Sequence, residues 1–236
     1  MFVVFPIRTE SEVPVSKQPP SSKERRSFLA RFNAGAVSIA AVAVGGVAMA
    51  RDKSKPGARF EPARHDKDDW LDALPGKHRL VFDTTAEDGF RDALLFANNF
   101  FIVNHTDYGL ENKDLAVIIV ARHLSTGFAF KNEMWAKYGA SMTGPAGPRN
   151  SQAKEAPKTN AYAGSLDSLS KQGVQFAVCS MATHALAGWI AGAAGGNADT
   201  IFAELTANLV SNARMVPAGI VAVNRAQERG YSLVSS

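Results

Sequence analysis

The chain has 236 residues, 46% hydrophobic and 20% charged, the balance of an ordinary globular protein. Its net charge is +4, but residues 1–50 hold six basic and three acidic side chains, so the remainder carries about +1. That remainder has no electrostatic footprint for a phosphate backbone, and nucleic acid is not expected as a partner. A single cysteine, Cys179, excludes an intramolecular disulfide and any centre built on several thiolates.

The first segment reads as an export address. A basic head ends in Arg25-Arg26-Ser27-Phe28-Leu29, an uncharged stretch runs from Phe32 to Ala50, and Ala48-Met49-Ala50 fits a small-residue cleavage site. The paired arginines followed by Phe-Leu resemble the bacterial twin-arginine signal, although Glu24 and Ala30 depart from its usual residues. The expectation is a signal over 1–50, recognised by the twin-arginine export machinery, and a mature chain starting at Arg51 in the periplasm. The alternative is an uncleaved membrane anchor. The stretch is long enough to span a bilayer, but its Ala, Gly and Val content, with Asn33 and Ser38 inside, is weakly apolar for that role.

Residues 51–77 are rich in Lys, Asp and Pro and read as a flexible lead, with Trp70, Leu71 and Leu74 available to pack a short turn onto the domain. From His78 the pattern alternates. "HRLVFDTT" reads as a strand, "AEDGFRDALLFANNFFIVNH" as a helix with acids in its first turn, and "DLAVIIVARH" as a central strand, apolar on both faces. "KNEMWAKYGA" is a short helix, and 141–160, with repeated Pro and Gly, is a long loop. Then follow a helix ("AYAGSLDSLSKQG"), a strand ("VQFAVC") and a helix ("SMATHALAGWIA"). Another helix ("ADTIFAELTANLVSN"), a short strand at Arg214–Val216, a helix after Pro217 and a strand from Tyr231 complete the chain. This order predicts a three-layer α/β domain over 78–236, with a mostly parallel sheet of about five strands and helices on both faces.

In such a sheet, ligands bind beyond the carboxyl ends of the strands. Cys179 ends the "VQFAVC" strand, where the N–H groups of the following helix favour an anion on its sulfur. His123 ends the "DLAVIIVAR" strand, and Asp83 and Thr84 end the first strand by the same logic. These residues form the candidate site, with His184, five positions after Cys179, as a secondary member. From the residues alone, Cys179 reads either as a reactive thiolate or as a small, packed, inert side chain. Fingerprints for dinucleotide binding, P-loop phosphate transfer, serine hydrolysis and zincin chemistry are all absent.

Over His78 to Ser236 the layout resembles the DsrE family, small α/β proteins of intracellular sulfur oxidation and sulfur relay. The resemblance rests on "HRLVFDTT" opening the domain, "GVQFAVCSMAT" placing a cysteine at a strand end, "ARHLSTGFAFKNEMWAKYG", and the closing "VPAGIVAVNRAQERGYSLV". It implies a persulfide-carrying role for Cys179, a small sulfur-containing ligand, and a homo-oligomer. Two features depart from the relay subunits: the export signal and the long 141–160 loop. The leading expectation is an exported sulfur carrier or transferase without a cofactor, in which His123, and secondarily His184, orients the ligand or moves a proton. A non-catalytic periplasmic binding or assembly subunit with a buried Cys179 is the alternative. A third reading, copper or haem held by Cys179 with histidines, has less behind it.

Overall fold

In the computed structural model the structure describes residues 60–142 and 156–236; the expected export signal and cleavage site, the first part of the lead and the middle of the 141–160 loop lie outside them. Five strands form one sheet: β1 (His78–Thr84), β2 (Leu115–Ala121), β3 (Gln175–Cys179), β4 (Ala213–Val216) and β5 (Ser232–Ser235). Their spatial order is β4-β3-β2-β1-β5, and every pair is parallel. The expected α/β sheet is therefore present, and it is wholly parallel.

Its register follows from burial. All seven residues of β2 are buried, because a central parallel strand is covered on both faces and has no side to offer to water. Alternation then sorts the side chains. Phe82, Ile119 and Phe176 point to one face and join its core, while Val81, Ile118 and Ala177 point to the other.

The two faces are covered unequally. The chain steps from β1 to β4 in one direction, so the intervening helices fall on the first face. These are α1 (Glu87–Tyr108), α2 (Asn132–Tyr138), α3 (Ala163–Gln172), α4 (Ser180–Ala194) and α5 (Ala198–Ala207). From β4 the direction reverses, and the last crossover carries α6 (Gly219–Glu228) under the second face to place β5 beside β1. Beyond α6, the second face is covered by a 3-10 turn at Asp66–Leu71, whose Leu71 is fully buried while Trp70 and Leu74 pack beside it. That turn is held by Tyr231, whose hydroxyl donates to the Leu71 carbonyl at 2.8 Å, and by Arg229, whose Nε donates to Asp72 at 3.0 Å.

Two boundaries differ from the sequence pattern. The helix expected over 198–212 ends at Ala207, because Leu209 leaves to bridge Phe130 and Asn212 takes a left-handed backbone (φ 55°) on entering β4. The strand expected to run to His123 ends at Ala121, and a 3-10 segment, His123–Ala129, follows.

Candidate functional site

Strand parity builds the site. Asp83 follows Val81 by two residues on β1, Arg122 follows Val120 by two, and Cys179 follows Ala177 by two on β3. Val81, Val120 and Ala177 all belong to the second-face core. Asp83, Arg122 and Cys179 therefore project to that same face at the carboxyl edge of three adjacent strands. Ala121 is opposite Val178 in the ladder, which puts Arg122 level with Cys179.

Cys179 is both the last residue of β3 and the N-cap of α4. Its Sγ accepts a hydrogen bond from the Ala182 N–H at 3.4 Å, the position a capping oxygen takes at other helices. Its carbonyl accepts from the Thr183 hydroxyl at 2.9 Å, fixing the first turn of the helix. The thiol is free, and the residue is 7% exposed.

Arg122 grips Asp83 with two parallel bonds, Nε to Oδ1 at 2.6 Å and Nη2 to Oδ2 at 2.8 Å. Asp83 is nearly buried, and the fork matches a carboxylate in a way that a single ammonium cannot. The hydrogen bond to Asp83 raises the Arg122 pKa; partial burial opposes the rise, and the charges of Asp83 and then of Cys179 add to it. Above Arg122 sits the start of α6. A Cβ on Gly219 would stand 2.7 Å from Arg122 Cβ and 2.9 Å from its Cδ, so only glycine lets the helix approach this closely. The edge therefore combines one cation, one buried carboxylate, one thiol and the N-terminal ends of two helices, a setting suited to an anionic sulfur species.

The other sequence candidates have different surroundings. Thr84 is fully buried, and its hydroxyl donates to the Val120 carbonyl at 2.8 Å and lies 2.9 Å from the Ser125 hydroxyl. Ser125 in turn accepts from the Arg122 N–H at 3.0 Å, so the pair shapes the turn that carries Arg122. His123 has a left-handed backbone (φ 56°), and its exposed ring turns toward β1, with Nδ1 3.3 Å from the Thr85 carbonyl. It stands at the same edge as Arg122, on the side away from β3. His184 is exposed on α4 and stacks flat on Phe202 of α5, with ring centroids 3.5 Å apart. The structure thus pairs Asp83 with Arg122, a residue the sequence reading did not single out, and sets Cys179 level with Arg122 on the next strand. Counting by twos along "VIIVAR" from the buried Val120 would have placed Arg122.

Among the described residues there is no group of three or more His, Cys, Asp or Glu side chains placed to hold a metal ion, and no helix is long and apolar enough to cross a membrane. Clefts of about 560 Å3 between α1 and α3, and of about 540 Å3 between the 66–71 turn and α6, have no wall formed by Asp83, Arg122 or Cys179.

No family model matches the chain, and no curated protein matches it. Among solved structures, one titled as a protein of unknown function, MTH1491 from Methanobacterium thermoautotrophicum, is similar to it. The likeness spans 68% of this chain and all of that one, at 19% identity and a TM-score of 0.38, and nothing about function follows from it.

Proposed function

We propose that the domain is a sulfur carrier of the DsrE type that holds a sulfane sulfur on Cys179, and that it works after export by the twin-arginine route. The observation that carries this reading is the setting of the cysteine sulfur: it caps a helix, accepting the Ala182 N–H, at the carboxyl edge of the sheet, with Arg122 level with it on the neighbouring strand's end. In the loading step the Cys179 thiolate attacks the outer sulfur of a donor R–S–SH. The new S–S bond forms as R–S⁻ leaves with the electron pair, so no external oxidant is needed. The proton of the outer sulfur passes to the departing R–S⁻, which leaves a persulfide anion at the N-terminus of α4, beside the Ala182 N–H. His123, exposed at the same edge, faces the Thr85 carbonyl on the side away from β3.

The test is intact mass of the exported protein before and after brief exposure to a sulfane-sulfur donor. The expected result is a reductant-reversible gain of one sulfur atom in the wild type and none in Cys179→Ala. The same spectrum reports whether the mature chain starts at Arg51. A thiol that stays unmodified until the protein unfolds sinks the proposal.

That outcome would promote a second reading, a non-catalytic binding or assembly subunit. Two observations favour it: Cys179 is only 7% exposed, and Arg122 already has a complete carboxylate partner in Asp83.

A further inference from the structure

A helix on a sheet normally buries one stripe and shows water the other; a helix that is apolar all round has a partner on each side. The inner face of α1 packs Phe90, Ala97 and Phe101 into the core. Its opposite face carries Leu95, Phe96, Ile102 and Val103, exposed at 53, 45, 49 and 43%. At 100° per residue these four lie within about 60° on either side of Asn99, and Asn99 points directly away from the sheet. This is the outward centre of the longest helix among the described residues.

We infer that this face is an interface with a second copy of the chain, with the two α1 helices antiparallel about a two-fold axis through Asn99. The pattern is self-complementary in that arrangement. Leu95 meets the partner's Ile102 on one side of the axis, and Phe96 meets the partner's Val103 on the other. Asp92 comes opposite the partner's Thr106, so no like charges face each other along the seam. Reversal or a shift of one turn loses this matching, as an isologous contact requires.

The area is sufficient. Taking about 200 Å2 for each free side chain, the four residues present about 400 Å2 of apolar surface per copy. Interfaces are about 60% apolar, so the contact would bury about 650 Å2 per copy, or about 1,300 Å2 in all. That falls within the range of about 1,200–2,000 Å2 typical of stable complexes. The inference does not depend on sulfur chemistry at Cys179.

The experiment is sedimentation of the full chain at micromolar concentration and above, with three variants. The wild type is expected to show twice the mass of one chain, and Phe96→Asp, at an exposed position, the mass of a single chain with its far-UV spectrum retained. In a Cys179→Ala background, Asn99→Cys is expected to form a disulfide-linked dimer under mild oxidation, because the axis places it beside its own copy. Asp107→Cys, off the seam, is expected to remain reduced. A wild type that stays monomeric overturns the inference, as does a dimer that survives Phe96→Asp and gives no Asn99→Cys cross-link. If monomeric protein still shields α1 from surface labelling, another part of the chain covers this face, which also overturns it.

Discussion

Arg122 touches the side chain of Asp83 through two nitrogens and α6 through its aliphatic stem. A substitution therefore tests the fork and the packing separately. Arg122→Lys keeps the charge and loses the two-point contact; it is expected to lower stability by about 1–2 kcal/mol. Arg122→Gln leaves the nearly buried Asp83 carboxylate unpaired, and a loss of about 3 kcal/mol is expected. Denaturant midpoints at unchanged slope would check both. An Arg122→Gln variant as stable as the wild type would show that Asp83 is satisfied elsewhere. The sequence makes Asp83 and Cys179 legible because each is a polar or nucleophilic residue closing an apolar run. Arg122 was not, because an arginine after an apolar strand reads as a solvated end until its carboxylate partner, 39 residues earlier in the chain, is known.

The elements hold the same lesson one level up. α6 is seated by Gly219, where a Cβ would also come within 3.1 Å of Val120 Cγ1. Gly219→Ala therefore forces the helix off the sheet, and a loss of about 1–3 kcal/mol is expected, as in other overpacked cores. Gly164 in α3 has open space around its Cβ position, so Gly164→Ala is the control and should match or slightly exceed wild-type stability. Thermal unfolding of the two variants side by side would decide the point. Element type was readable wherever the period was long: the buried run of β2 and the helical spacing of α1 both appear where expected. Element ends were less readable. Ala207 closes α5 because of a bridge between Leu209 and Phe130, a contact with no local signature.

Across the whole molecule, a buried tyrosine, Tyr231, sits on one side of the sheet and a half-buried one, Tyr162, on the other. Burial pushes Tyr231 up to about 12, with the charge of Asp72 adding and that of Arg79 opposing. Tyr162, on the other side, is also pushed up to about 12 by burial and then by the charge of Glu87. In the unfolded chain both phenols ionise near pH 10. A raised pKa in the folded state means that the native protein holds these protons longer than the unfolded one. Their contribution is complete below about pH 10 and is lost as pH rises toward about 12. The melting temperature should accordingly fall across that window. Phenolate absorbance should show some of the four tyrosines titrating late while the fold persists and together once it is lost. Ordinary titration of all four in the folded protein would contradict the burial described for Tyr231. The sheet class was legible at this scale from alternating strands and helices. The reversal at β4, which leaves α6 alone among the helices on the second face, was not, because the same alternation is compatible with several strand orders.

That reversal has a kinetic consequence. β1 can pair with β2 once α1 has formed, since Leu80 need only find Val117, but its other edge waits for Ser232. The two closures differ by roughly two doublings of loop length, an added entropic cost of about 1.2 kcal/mol, and β5 has four residues with which to offset it. The order of assembly is thereby biased: the four strands from β1 to β4 can form a sheet before the last one arrives. Until then the outer edge of β1 is open, and the unpaired backbone along Leu80 to Asp83 is the place where a folding chain is most vulnerable to pairing with the wrong partner.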